Sequence, residues 1–571
     1  MYLAIGVDFS RSFLYNFDGM NIKVPSKSFY TMKKSLFFAF WMALLALPLS
    51  AQTIEVSGEY QGHVLWDADT VRLIGDVVIE PNEGGSACLT IERGTWVIAE
   101  GYYRISVHNG SFFAIGADKY PVVFTARDTT DFYNPTVETG WRGIHLISDQ
   151  SNAQDSVVME FCEVTFGKIV TDAPEGERFG AGVEVRNKKY CYFGHCLFSQ
   201  NRDEYNTSSP SGCGGGGIYV LNPGTILVEH CVFHDNYAWW GASIRMDGLR
   251  YFTVRNCEFY NNSGQYGTAI DMHMGELSLS SLGPRVYNNY IHGNHGSTAY
   301  LGWEGVGRFH DNIIVNNEGY SPVLGTTAPN YSFYYNNTIV NNQSEGFLYG
   351  YGAGIWTNGQ QKIFNNIVYG NDQYDFYPQN LPQIHFERMD PSHPDPTIFN
   401  NCVSCPDGNV GSICEDPQFF RPTSGIGPAH DHSTTDYHWE LLETSPCRDV
   451  GATNMSQYYP DNDYLGRPRV IYSRIDLGAI EYPDLDAVEE QLSIQSCVYP
   501  NPGSDVLHIL TDWEDAFVVI YDLNGRKMCE QQINGCLTSI ATENWPSGMY
   551  FWKVLSAGST TLVETGKWIK E

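Results

Sequence analysis

Between residues 158 and 371, short runs of alternating apolar and polar residues return repeatedly, each an imperfect copy of the last. The runs are FCEVTFG, HCLFSQN, HCVFHDN, NCEFYNN, NNYIHGN, DNIIVNN, NNTIVNN and NNIVYGN. Aligned on one position they give a column of Cys162, Cys196, Cys231, Cys257, Asn289, Asn312, Asn337 and Asn366. Two residues on comes an apolar column: Val164, Phe198, Phe233, Phe259, Ile291, Ile314, Ile339, Val368. Five residues on, seven of the eight runs carry asparagine, from Asn201 to Asn371, and the first carries Gly167. The intervals are 34, 35, 26, 32, 23, 25 and 29 residues, a self-similar period that indicates a solenoid. Apolar positions alternate with period two and helical spacing is absent, so the units are strands.

A second strand recurs in the same units: GAGVEVR from Gly180, GGGIYVL from Gly215, GASIRMD from Gly241, GTAIDMH from Gly267 and GAGIWTN from Gly352. In the first three, the leading glycine lies 16 residues before the next cysteine. Two strands per unit at a fixed offset, with variable turns, describe a parallel β-helix whose coils stack at ~4.8 Å. Like residues then lie over like residues, and the asparagine column is placed to bond the turn backbone through its amides. The pattern resembles the right-handed parallel β-helix, or pectin-lyase-like, superfamily over residues 53–400. That resemblance implies a fold of about a dozen coils. It leaves activity open, because the fold hosts lyases, hydrolases, adhesins and inert stalks.

The flanks divide the rest of the chain. Met32-Lys33-Lys34, an apolar run from Ser35 to Leu49, and Ser50-Ala51 before Gln52 have the layout of a signal peptide. Cleavage is expected after Ala51, and residues 1–31 read as an extension upstream of the true start at Met32. No other run has the length and apolarity of a membrane span, so none is expected in the mature protein. Residues 53–157 read as strands between glycine turns, with 53–80 expected to cap the open first coil. LTIERGTWVIAEG, PVVFTA and GWRGIHL there resemble the opening coils of secreted bacterial β-helix proteins.

The repeat fades after Asn371, and residues 401–483 are expected to be a closing coil. Its Asp463, Gly466, Pro468 and Arg469, followed by Asp476, Gly478, Ala479 and Glu481, resemble the last coil of many surface β-helix proteins. There Arg469 is expected to pair with a local carboxylate and the strand to end the stack. Residues 484–497 read as a linker. Period-two strands with Asn-Gly and Ser-Gly turns then make a small β-sandwich over 498–571. Tyr499-Pro500-Asn501-Pro502, the run from Tyr521 to Arg526, Pro546-Ser547-Gly548-Met549-Tyr550 and the terminal Lys567 and Lys570 resemble the type IX secretion sorting domain, type A. That resemblance implies the type IX machinery as a partner, export across the outer membrane, removal of the domain near the linker, and a secreted or cell-surface location. The fold class is therefore all-β: a solenoid followed by a sandwich.

Charge narrows the partners. Lys and Arg number 34 against 65 Asp and Glu, a net −31. Such a chain repels nucleic acid, so no nucleic-acid partner is expected, and it repels anionic polysaccharides unless calcium bridges them. Aromatic content is 14%, with 37 tyrosines, which suits sugar-facing surfaces as well as stacked β packing. Of the 14 cysteines, those at 162, 196, 231 and 257 point the same way and suit packed thiols. Cys402, Cys405, Cys414 and Cys447 lie in the closing region, where a disulfide is a better reading than zinc in an exported protein. No P-loop, dinucleotide fingerprint, nucleophile elbow or zinc-protease motif is present. Asp461-Asn462-Asp463 is weighed as a calcium contact, with a plain turn preferred; no other cofactor is expected.

The GxxI strands supply the candidate site. Alternation points Glu184, Tyr219, Arg245, Asp271 and Trp356 outward, and beside them Arg186, Leu221, Asp247, His273 and Asn358. Phe179, Trp240, Tyr266 and Tyr351 precede the glycines. Arg245, Asp247, Asp271 and His273 thus crowd two neighbouring coils. Asp247 and Asp271 are expected ~8 Å apart, within the ~6.5–9.5 Å of an inverting glycosidase. They are the candidate catalytic residues, with His273 and Arg245 beside them; an Arg–Asp ion-pair ladder is the competing reading. Tyr219, Trp240, Tyr266 and Trp356 are the candidate glycan-binding residues. The insertion 275–285 is placed to wall or cover this groove. The function expected is glycan binding or adhesion, the alternatives being a polysaccharide hydrolase or lyase and a passive surface spacer.

Overall fold

The computed structural model describes residues 14–17, 20–23 and, with interruptions, 52–570; the longer interruptions are 206–212, 274–283, 326–331, 345–353, 374–381, 387–394, 405–411, 426–438, 484–496 and 500–505. The signal-peptide reading of 32–51 therefore lies outside the described residues. The chain is a parallel solenoid with three faces. On the first, the aligned column pairs in register, Val164 with Phe198, Phe198 with Phe233, Phe233 with Phe259 and so on to Val368. These side chains are fully buried, and Phe198, Phe233 and Phe259 stack at 4.9 Å intervals. The GxxI strands make the second face.

A third face of 12 strands, from His63–Trp66 to Thr397–Phe399, was not separable in the sequence. From Ser156–Glu160 onward, one or two residues divide each of its strands from the following first-face strand. The first of them is left-handed: Phe161, His195, His230, Asn256, Asn288 and Asp311 hold φ of 48–55°. From Cys162–Thr165 to Ile367–Tyr369, a second left-handed corner follows each first-face strand, as at Gln200, Asn261 and Asn316. The Asn-Asn doublets now have two separate jobs. The first asparagine takes the αL turn that few other residues tolerate. The second points inward and forms the ladder.

The ladder at the second corner is continuous. Asn262 donates its backbone N–H to Asn294 Oδ1 at 3.0 Å, and its amide donates to that same oxygen and to Phe233 O. The pattern repeats from Asn201 to Asn371, where Gln383 takes the place of a further asparagine and returns a bond to Asn371 O. At the first corner asparagines do the same from Asn289 to Asn401. Above them the cysteines fill the same slot as free, buried thiols, Cys196 donating to Met159 O and Cys231 to Phe193 O. Burial pushes the Cys162 and Cys231 thiols well up, so they stay protonated.

Two expectations about the ends change. Residues 53–80 are not a separate cap: Thr53–Gln61 runs parallel along Thr70–Glu80, each strand crossing two faces through an irregularity near Gly58, and they form the first rungs. Nor does the closing region end the stack. After Cys402–Val403 and a bridge at Ile413, residues 439–482 turn back along the outside of the solenoid as a strap. The cause lies in the strands beneath. Upper first-face strands alternate, whereas Ile313–Val315 and its successors are apolar on both sides, and Ile313, Val315, Val340 and Ile367 must be covered. Trp439, Leu441, Leu477 and Ile480 cover them.

The strap is also tied polar group to polar group. Asn400 Nδ2 donates to Val450 O at 2.7 Å, Ala452 N–H to Asn365 Oδ1 at 2.9 Å, and Ala479 N–H to Thr338 Oγ1 at 3.0 Å. Arg469 does pair with carboxylates: Glu481 at 3.1 Å within the strap and Asp311 at 3.0 Å on the solenoid. Asp463 accepts N–H bonds from Leu465, Arg467 and Glu481, a turn-forming role. Cys414 is disulfide-bonded, and Cys402 and Cys447 carry free thiols in this structure; Cys405 lies outside the described residues. Beyond the linker, antiparallel sheets of three and four strands enclose Leu507, Val518, Trp552 and Trp568 as the expected sandwich.

Candidate functional site

The two outward columns of the second face are in the expected register. Glu184 pairs with Tyr219, Tyr219 with Arg245, Arg245 with Asp271, and Asp247 with His273. Trp356 continues the first column beyond Leu301 and Leu324. The columns do not line an open groove. Tyr219, Arg245, Asp271, Trp240 and Trp356 are each no more than 5% exposed, and Arg186, Leu221, Asp247 and Tyr266 are half-buried. The side chain of His273, and all of Asn358, Tyr351 and the insertion 274–283, lie outside the described residues.

The cover comes from the glycines of the GxxI motif. Gly241 and Gly267 hold φ of +59° and +57°, and fold the preceding turn back over the residue four places later. A Cβ on either would lie 2.6 Å from the Cβ of Arg245 or Asp271. Only glycine combines the positive φ with so close an approach. A short sheet that includes Tyr237–Trp240 and Ser263–Tyr266 completes this layer, and Trp240 stacks on Tyr266 at 4.2 Å.

Inside the layer the charges serve each other. Arg245 lies 3.4 Å from Asp247 and 3.8 Å from Asp271, and donates to Cys213 O at 2.7 Å. Tyr219 donates to Asp247 at 2.9 Å. Burial opposes the Arg245 charge, but Asp271 and Asp247 outweigh it and raise its pKa. A guanidinium lies beside both carboxylates, which is the arrangement of the competing ion-pair ladder. Asp203, also buried here, accepts N–H bonds from Tyr205 and Gly214, and desolvation pushes it up to about 8.

Open space lies elsewhere, against the leading edge of the strap. A groove of about 490 Å³ has Val232, Glu258, Tyr290 and Ile313 as its floor. The corner residues His195, His230, Asn256 and Asn288 form one side, and Trp439, Tyr464 and Ile480 the other. His195 and His230 are exposed and stack at 4.8 Å. Burial and the neighbouring His195 lower the His230 pKa, and its Nε2 lies 3.3 Å from the Asn256 amide nitrogen, which suits a neutral, accepting ring. Glu258 is engaged with His292 at 2.8 Å. Sequence reasoning missed this place. Its one local signal is histidine at corners where lower coils carry asparagine, and the strap residues arrive from more than a hundred positions away. A second cavity, about 470 Å³, lies beside Tyr102 and His145, where Arg142 pairs with Asp76 and His145 with Glu184.

No helix among the described residues is long and apolar enough to cross a membrane. Compared with known proteins, residues 122–281 match the family described as right handed beta helix region, and residues 497–571 match the secretion system C-terminal sorting domain. No curated protein matches the chain. With its parallel three-faced stack and antiparallel tail, the chain is a right-handed β-helix protein carrying a type IX sorting domain, the mark of a secreted protein of the cell surface or surroundings.

Proposed function

We propose that the protein binds glycans at the cell surface, with the groove beside the strap as its binding site. The observation that supports this is the groove's lining: Tyr290, Trp439 and Tyr464 offer aromatic faces, while two asparagines and two stacked histidines offer hydrogen-bonding groups in the same space. Sugars are bound by that combination of flat apolar surface and few, placed polar groups. Among the described lining residues Glu258 is the single carboxylate, so the acid–base pair of a glycoside hydrolase lacks its second member there. This favours binding over cleavage. The net charge of −31 favours a neutral glycan over a polyuronate.

Retention of the exported protein in gels containing neutral polysaccharides tests the proposal. His195→Asn and His230→Asn keep a residue that accepts the αL corner and remove the rings, and Trp439→Ala removes the opposite wall. The double histidine variant and the tryptophan variant should each weaken retention by about tenfold, the value of one lost stacking contact of about 1–1.5 kcal/mol. Undiminished retention in both would reject the groove as the site. Release of reducing sugar by the wild type would move the reading to an enzyme.

A further inference from the structure

Two thiols meet across the seam between strap and solenoid, and we infer that Cys402 and Cys447 are the halves of a disulfide that closes once the chain has left the cytosol. Cys402 lies on the outer side of the last first-face strand, whose Val403 points inward in line with Val368. Cys447 comes from the strap, and both are fully buried in one apolar cluster with Ile367 and Leu477. Each is held by its backbone, Cys402 N–H on Asn366 O at 2.8 Å and Cys447 O under Leu477 N–H at 2.9 Å. Cys402 Sγ donates to Glu415 O at 3.4 Å, and the neighbouring Cys447 thiol and burial push its pKa well up.

The cysteine column makes the contrast. There neighbouring thiols also approach, but they rise from adjacent parallel coils with side chains running the same way. A disulfide needs Cβ vectors that converge, which opposed segments supply and stacked rungs do not. The surroundings are already oxidised: Cys414 is disulfide-bonded, and its neighbour Ile413 bridges to Cys402. Export places the chain where such bonds persist.

The step is thiol–disulfide exchange with a disulfide oxidant of the envelope. One thiolate attacks the oxidant's disulfide and expels one of its sulfurs; the second thiolate then attacks the mixed disulfide and expels the other. Two electrons and two protons leave the protein, and the oxidant ends as a dithiol. The new bond closes a loop from 402 to 447 and fixes the base of the strap whose far edge walls the groove.

Exported protein, denatured in acid, alkylated without reduction and digested, should yield a peptide pair joining Cys402 to Cys447 that separates on reduction. Cys162, Cys196, Cys231 and Cys257 should all be alkylated. Alkylation of both Cys402 and Cys447, or a link from either to a third cysteine, overturns the assignment. With the link present, proteolysis within the strap should be severalfold faster in Cys447→Ser than in oxidised wild type and equal to that of reduced wild type. Equal rates in all three would reject the bond as a fastening of the strap.

Discussion

Arg469 of the strap and Asp311 of a solenoid corner meet at 3.0 Å with neither side chain exposed, and His310 holds the second oxygen of the same carboxylate at 2.5 Å. The arginine has crossed from one part of the chain to another to find that partner. Arg469→Ala leaves Asp311 and Glu481 buried without their cation, and should cost about 3–5 kcal/mol. Asp311→Asn should cost less, because asparagine occupies the same corner in the coils on either side and Glu481 still faces the arginine. Denaturant midpoints of the two variants check the order.

The doublets predict a sharp contrast between adjacent residues. Asn262→Ala removes a buried amide and orphans Phe233 O and the N–H groups of the coil before; at about 1–3 kcal/mol for each orphaned group, the loss should exceed about 2 kcal/mol. Asn261→Gly should stay within about 1 kcal/mol, since glycine takes the left-handed corner freely and Gly293 and Gly370 already do. Equal losses at the two positions would contradict the separate roles.

Gly241→Ala and Gly267→Ala test the covered second face. A left-handed alanine costs about 1–2 kcal/mol, and crowding against the next column adds about 1–3 kcal/mol. Both variants should melt well below the wild type. A variant that keeps its stability and gains affinity for glycans would instead reveal a face that opens.

Stability should fall as pH rises toward 8. Burial raises Asp203 and Glu481 to about 8 in the folded chain, so between the ordinary carboxylate range and pH 8 the folded state binds the extra protons and stability falls as pH rises. Above that, Lys188, lowered by burial to about 8, and Cys191, raised by burial to about 12, act in opposite directions. Thermal midpoints across pH 5–8 check the fall, and Asp203→Asn should flatten it.

The stacking of coils could be read from the sequence because each rung repeats the one before, and one alignment sufficed to place Phe198 under Phe233 and Arg245 beside Asp271. The third face was hidden because a two-residue corner, such as His230 and Cys231, separates two strands that read as one. The burial of the GxxI columns was hidden as well, although the glycine four residues ahead of each column residue carried the information. The strap could be inferred only in part. IIV and TIV are apolar on both sides, which says that something covers them, but nothing in the repeat names the cover. The groove inherits that limit, since half of its wall belongs to the strap.

Hydrogen bonds between rungs lie along the axis of the solenoid, so a pull along that axis loads them one after another, and the weakest rung yields first. The strap changes this where it lies. From Asp311 to Asn400 it is fastened to several rungs at once, like a splint, and those rungs can part only if its own fastenings shear together. A surface protein held at its C-terminal end and pulled by what it grips would therefore give way in the unsplinted upper coils, leaving the anchored end whole.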